Sequence, residues 1–291
     1  MRIGVSSYSY SRYVRQGTLD LFGVIRKAAE QAFEGIEFAG LGVKADDPSC
    51  ADLAGRIRDA CGEAGLAVVS YTIGADFLRA EGGWQAEVER LKGEIEIAAT
   101  LGVPVMRHDA TRGFPEDHDG PTDFAAALPT LAEGCRAATE FAASMGVRTT
   151  VENHGFFVQD SDRCEALMKS VDHENFGSLI DIGNFLCADE PPLPAVTRMA
   201  PYAFHVHAKD FHVKPADAPD PGRGWMRSRG GAYLRGAVTG HGVVNLPACI
   251  DALKSAGYDG WMSIEFEGME DNALALEIGL ENLKRYLGAE S

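Results

Sequence analysis

The chain is 291 residues long, with 43 acidic and 27 basic side chains and a formal net charge of −16. A hydrophobic share of 45% with 24% charged residues excludes a disordered or fibrous protein. The acid excess argues against nucleic acid or anionic lipid as a partner, since both need a basic face. The six cysteines, Cys50, Cys61, Cys135, Cys164, Cys187 and Cys249, form no CxxC pair and read as free thiols of a reducing compartment. The opening MRIGVSSYSYS has no apolar signal-peptide region, and no apolar run approaches the roughly 18 residues of a membrane helix. A cytoplasmic protein is expected.

In chain order, short β-type runs alternate with helical stretches. IGVSSYSY (3–10) reads as a strand, followed by the apolar-periodic 19–33. GIEFAG (35–40) precedes a helix with Ile57, Ala60 and Cys61 on one face. LAVVSYTIG (66–74) precedes a helix ending at Gly102, and VPVMRHDA (103–110) one from about Asp123 to Met145. VRTTVENHG (147–155) leads into 162–171, and FGSLIDIGNF (176–185) into a Pro-rich, poorly helical stretch. AFHVHAKDF (203–211) is followed by a long Gly/Arg-rich segment and then a helix over 246–257. WMSIEFEG (261–268) precedes the last helix, 272–287. Glycines in AAEQAFEG, GEAGL, ATLGV, ASMGV and KSAGY mark helix ends.

Eight strand–helix units predict a parallel sheet with right-handed crossovers, closed into a (β/α)8 TIM barrel. The first strand–helix turn, SSYSYSRYVRQG, lacks GxGxxG, which leaves a dinucleotide fold without support. No domain boundary is visible. The expectation is one α/β barrel domain over 1–291, with a long loop after the seventh strand at about 211–245.

Reactive groups of such a barrel collect at the C-terminal ends of the strands. Four successive strands put metal-type ligands there: Glu152 in TVENHG, Asp181 in LIDIGNF, His207 in FHVHAKD and Glu265 in SIEFEG. The period of two places Thr150, Glu152 and His154 on one strand face, His205, His207 and Lys209 on another, and Ser263, Glu265 and Glu267 on a third. If those faces point inward, three carboxylates and one imidazole meet at the mouth. Three buried carboxylates without a cation repel one another and are driven to protonate. One divalent ion removes that cost, with Mn²⁺ favoured and Mg²⁺, Co²⁺ or Zn²⁺ as alternatives.

With these residues in place, the sequence resembles the xylose-isomerase-like barrel superfamily of sugar phosphate isomerases and epimerases. That group includes ketose 3-epimerases, inosose isomerases and dehydratases, and catalytic subunits of C-glycoside deglycosidases. The resemblance covers essentially the whole chain and is most specific in HVHAKD and GHGVVNLPACIDALKSAGYDGWMSIEFEG. It implies metal ligation by Glu152, Asp181, His207 and Glu265, with Glu152 and Glu265 also as the catalytic acid–base pair. It also implies a substrate contact at Glu37. One departure stands out. Epimerases of this kind often carry D-x-x-H on the sixth strand, whereas DIGN here puts Asn184 in the last position. Asn184 can still hydrogen-bond a hydroxyl, but it carries no proton near pH 7.

Other substrate-binding candidates are His108 in MRHDA, His154 one inward step above Glu152, and Lys209 above His207. His108 is equally well read as a hydrogen-bonded structural residue, and Lys209 as an ion-pair partner of Glu265 or Glu267. Tyr8 and Tyr10 share a face with Ser6 and either line the pocket or fill core. The segment 211–245 carries Lys214, Arg223, Arg227, Arg229 and Arg235 among Trp225 and Tyr233. Its length and composition suit a basic, aromatic cover over the mouth, with Trp225 and Arg229 against substrate. Packing against another subunit is the alternative.

These readings converge on a divalent-metal sugar isomerase or epimerase acting through an ene-diolate on a keto sugar or related polyol. A lyase is the alternative: a deglycosidase eliminating from a 3-keto glycoside, or an inosose dehydratase. An apurinic-endonuclease-like barrel and a non-catalytic sugar-binding barrel rank below these. The expected partner is a small carbohydrate, without nucleic acid or membrane. The resemblance adds a homo-oligomer and, for a deglycosidase, a small partner subunit.

Overall fold

In the computed structural model, which describes residues 1–288, the chain begins with β1 (Arg2–Ser6), α1 (Ser11–Arg15) and α2 (Leu21–Glu30). Strand and helix then alternate through β2 (Gly35–Ala39), α3 (Ser49–Glu63), β3 (Ala67–Ile73), α4 (Gly83–Leu101), β4 (Val105–His108) and α5 (Phe124–Ser144). The pattern continues with β5 (Arg148–Glu152), α6 (Ser161–Val171), β6 (Phe176–Asp181), α7 (Pro192–Met199) and β7 (Ala203–Ala208). Three further strands follow, β8 (Asp210–Lys214), β9 (Met226–Arg227) and β10 (Tyr233–Ala237). The chain closes with α8 (Leu246–Ser255), β11 (Trp261–Ile264) and α9 (Asn272–Leu287).

Eight parallel strands close a barrel in the order β1-β11-β7-β6-β5-β4-β3-β2. The (β/α)8 reading is borne out. Side-chain caps start the helices where the sequence turns polar. Asp20, Asp123, Asp160 and Asp271 each accept a backbone N–H from the first turn of α2, α5, α6 and α9. Gly102 ends α4 in the left-handed conformation at φ 75°. The AAEQAFEG signal is different: Ala32 takes the positive φ of 60°, and Gly35 opens β2 instead. Gly35 is required there by packing, since a Cβ would stand 2.5 Å from Val69 Cγ1 and 2.8 Å from the Trp261 ring. Trp261, Val69 and Gly35 thus close the N-terminal end of the barrel, leaving the C-terminal end for chemistry.

Three expectations change. The first strand stops at Ser6, whose Oγ accepts the Tyr8 N–H at 3.4 Å and turns 7–10 into a 3-10 turn. That turn separates the two tyrosines, burying Tyr10 completely and leaving Tyr8 39% exposed at the mouth. The Pro-rich stretch after β6 does hold a helix, because Pro192 sits at the first position of α7, where its missing N–H costs nothing. The segment 211–245 is not an open cover. It forms an antiparallel sheet in the order β8-β10-β9. All six cysteines are buried and unbridged, and no described helix is long and apolar enough to cross a membrane.

Candidate active site

Parallel strands deliver alternate side chains to the barrel interior, and those at the C-terminal ends meet at the mouth. The interior is polar in two layers. In the lower layer Glu37 of β2 is fully buried, with its Oε2 2.8 Å from His205 Nε2 and its Oε1 2.8 Å from His207 Nε2. Ser263 Oγ stands 3.0 Å from the same His205 nitrogen. These contacts turn the other ring nitrogen of His207, Nδ1, toward the layer above.

That upper layer brings together the four expected ligands. Ligand atoms of Glu152, Asp181, His207 and Glu265 all lie within 4.8 Å of one another. His207 Nδ1 faces Glu152 Oε1 at 3.9 Å, Asp181 Oδ2 at 3.6 Å and Glu265 Oε2 at 3.6 Å. That Nδ1 is buried without a hydrogen-bond partner, and Asp181 Oδ2 is met only by the Lys209 ammonium at 3.0 Å. A buried imidazole nitrogen facing three carboxylates fits a divalent cation.

Backbone and side-chain bonds fix each ligand. Asn153 clamps β6 by donating Nδ2 to the Asp181 carbonyl at 2.9 Å and accepting the Asp181 N–H at 2.8 Å. Asn184 donates its N–H to Asp181 Oδ1 at 3.0 Å and its Nδ2 to Glu152 Oε1 at 2.9 Å. It accepts from Lys209 Nζ at 3.2 Å. Asn184 therefore braces the ligand set. Gln159 ties the next loop to this brace, donating to the carbonyls of Asn153 and Asn184.

Two permanent cations balance the carboxylates. Arg107 of β4 places Nη2 2.5 Å from Glu152 Oε2 and 3.1 Å from Asp109 Oδ1. Lys209 Nζ lies 2.6 Å from Glu265 Oε2, 3.0 Å from Asp181 Oδ2 and 3.5 Å from Glu267 Oε2, so it pairs with both expected glutamates. Burial favours the neutral acid at Glu265, but Lys209 and His207 overcome it and hold that carboxyl well below the usual range. Burial prevails at Glu152 and pushes its carboxyl up despite Arg107 and His207. Burial would neutralise His207, yet Glu37 and Glu265 hold its pKa well above the ordinary imidazole value.

The layer opens into a cavity of 430 Å³. Glu152, His154, His207, Lys209 and Glu265 line one side of it, and Tyr8, Glu267 and Arg107 contribute as well. His154 bonds Asp109 Oδ1 through Nδ1 at 3.1 Å. The remaining sequence candidates lie elsewhere. His108 points outward from β4, fully buried, its ring edge-on to Phe77 at 5.7 Å and its Nδ1 2.9 Å from the Asp109 carbonyl. Glu37 lies beneath His207 and does not reach the cavity. Trp225 is held between Lys214 and Arg235 at 5.3 and 5.7 Å. Arg229 pairs with Asp160 at 2.8 Å and with the Phe156 carbonyl. Neither lines the cavity. Sequence reading missed Arg107 and Asp109. Period two puts Arg107 and His108 on opposite faces of β4, but a strand buried on both faces gives no sign of which is inner.

A closed parallel barrel with carboxylates and an imidazole converging at its C-terminal mouth defines a (β/α)8 barrel with a candidate metal centre. The sequence matches the family described as xylose isomerase-like TIM barrel over residues 25–286, and the chain belongs to that family. It is 27% identical to an inosose dehydratase of Lacticaseibacillus casei over 162 residues, 55% of this chain and 53% of that protein. It is 30% identical to the rhizopine catabolism protein MocC of Rhizobium meliloti over 220 residues, 70% of this chain and 65% of that protein. The chain thus spans about half the length of the inosose dehydratase it matches. The solved structure of the probable 3-DHS dehydratase AsbF of Bacillus anthracis superposes with a TM-score of 0.75 at 16% identity, covering 98% of this chain and 99% of that one. At that identity the likeness concerns the fold.

Proposed function

We propose that this chain is a divalent-metal enzyme that removes a proton from the carbon beside the carbonyl of a polyhydroxylated substrate, as a sugar isomerase or epimerase does. The convergence of Glu152, Asp181, His207 and Glu265 within 4.8 Å, three of them lining the cavity, carries this reading. These four would hold the ion, with Mn²⁺ or Mg²⁺ suiting an oxygen-rich set better than a closed zinc site. A bound divalent ion polarises the carbonyl and acidifies the neighbouring C–H.

The two glutamates are not equivalent. Both oxygens of Glu152 are held, one by Arg107 and one by Asn184 Nδ2. Glu265 reaches the cavity, with 13% of its side chain accessible against 3% for Glu152, and Lys209 and His207 keep it ionised. Glu265 is therefore the group that takes the proton. Lys209 Nζ, 2.6 Å away, offsets the charge that develops beside it. Burial pushes the Glu152 carboxyl up toward its protonated form. As that acid it would give its proton to the substrate carbon in epimerisation, Glu265 keeping the one removed.

Loss of water is the second reading, favoured first by the setting of His154. His154 lines the cavity with Nδ1 bonded to Asp109, which leaves Nε2 free to protonate a departing hydroxyl. Asn184 in place of a histidine points the same way, because it positions without carrying a proton. The sequence relatives named as inosose dehydratases accord with this branch.

The decisive experiment follows deuterium from D₂O into free ketoses and keto-cyclitols in the presence of Mn²⁺. Glu265→Gln should lower exchange by roughly 10²–10⁴-fold, with a smaller loss of bound metal. Undiminished exchange in that variant would remove Glu265 from its role. His154→Gln should suppress elimination while sparing exchange if the second reading holds.

A further inference from the structure

We infer that the face formed by the sheet β8-β10-β9, α1 and the start of α9 docks a second copy of this chain across a twofold axis. Exposed apolar side chains mark it. Val14, Met226, Val243, Met269 and Leu274, 39 to 57% exposed, are five of the nine large apolar residues at the surface of the described chain. Singly such residues need no explanation, but gathered on one face they mark an interaction surface.

Direct contacts join their positions. Arg12 of α1 donates to the carbonyls of Gly268, Met269 and Glu270, and Tyr13 Oη to Asp271 Oδ2 at 2.6 Å. Gly224 lies against Met269 Sδ, with no room for a side chain. Arg235 of β10 pairs with Glu270 at 3.4 Å. A groove of 550 Å³ comes next, with Val238, Leu274, Ala275 and Ile278 as its apolar wall and His212 and His241 beside them. Val243 stands just past His241, in the turn that Asp210 holds.

Charge identifies the occupant. The stretches that build the face, 8–15, 212–243 and 267–278, hold seven basic and six acidic side chains, in a chain of net charge −16. The acid excess therefore lies on the rest of the molecule. Two copies of so acidic a chain repel one another unless they meet through a face of balanced charge. The signs are also segregated. Segment 212–243 carries five bases against two acids, whereas all four charged residues of 267–278 are acidic. A partner of one sign would be repelled by half of this face. A twofold axis instead lays the sheet of one copy over the start of α9 in the other, twice, and brings opposite signs together. Lys214 and Arg223 on the sheet segment and Glu277 on α9 are exposed and enter no ion pair within the described chain, so they are free for that contact. The same axis sets Val243 of each copy against the apolar groove of its partner.

The test is the state of the full chain in solution. Sedimentation velocity across the micromolar range should give a particle of twice the 31.2 kDa of one chain. Val243→Asp and Leu274→Asp each put a carboxylate into the contact and should weaken self-association about thirtyfold or more. Both positions are more than half exposed in a single copy, so circular dichroism should show an unchanged fold. Met145→Asp, exposed just beyond α5, should leave the dimer intact. Charge reversal tests the pairing. Lys214→Glu with Arg223→Glu, and separately Glu277→Lys, should each weaken self-association, and mixing the two proteins should restore a dimer. A chain that stays monomeric overturns the inference and leaves the face to a different protein. A dimer that survives Val243→Asp combined with Leu274→Asp also overturns it, as does a mixture of the charge variants that associates no more tightly than either alone.

Discussion

Glu37 shows how much of this site is set one layer beneath the reacting groups. Its Oε1 stands 2.8 Å from His207 Nε2, which turns the imidazole so that Nδ1 faces the carboxylates. A carboxylate behind a ligating histidine orients the ring and strengthens it as a ligand. Glu37→Gln preserves the shape and removes the charge, and should weaken divalent-metal affinity by roughly 10–100-fold with little change in fold. Metal titration alongside circular dichroism checks this, and unchanged affinity would reduce Glu37 to a packing residue. Glu37 was singled out in the sequence for its place at a strand end, but as a substrate contact. The error is one of depth. Period two gives the inner face of β2, and nothing in GIEFAG says that β7 and β11 place side chains above it. His108 shows the complementary limit. All four residues of β4 are buried, because a parallel barrel strand is covered on both faces. Hydrophobic alternation therefore gives no cue to orientation, and the histidine draws attention that belongs to Arg107.

Among the elements, the segment after β7 departs furthest from its sequence reading. Composition marked it as arginine-rich and aromatic, which suggested a cover over the mouth. The partners that redirect those arginines are distant in sequence: Asp160 before α6, and Glu270 after β11. No local pattern could announce them. The anchor is local, however. Asp210 begins β8 and accepts four backbone N–H groups, from Phe211 and Val244 on Oδ1 and from Gly240 and Gly242 on Oδ2, at 2.8 to 3.1 Å. Gly242 admits no side chain, since a Cβ would lie 2.1 Å from that carboxylate. Asp210→Ala strands those donors and should cost about 2–4 kcal/mol. Hydrogen exchange should quicken first over 238–245, ahead of the barrel strands. Uniform protection across the chain in the variant would mean the turn holds without its aspartate.

At the scale of the whole molecule, the sequence carried the architecture well, because strand–helix alternation repeats eight times and each repeat obeys the same packing rule. The candidate ligand set followed from the architecture. Glu152, Asp181, His207 and Glu265 each end an apolar run, so naming the strands places the residues. Closing the barrel also concentrates charge that the unfolded chain keeps apart, on top of an overall −16. Without a divalent ion, the mouth holds Glu152, Asp181 and Glu265 against Arg107 and Lys209. A ligand that binds only the folded state adds about 2.7 kcal/mol at a hundredfold excess over its Kd. At roughly 2–4 °C per kcal/mol for chains of this order of size, the melting temperature should rise by about 5–10 °C when Mn²⁺ or Mg²⁺ is returned to chelator-treated protein. Asp181→Asn removes a ligand charge and should abolish most of that rise. Its own melting temperature without metal should hold or increase, because repulsion among the carboxylates is relieved. That opposite sign separates a metal centre from a structural ion-pair cluster. In a structural cluster the same substitution removes one of the three carboxylates that face Lys209 and lowers stability, and added metal changes nothing.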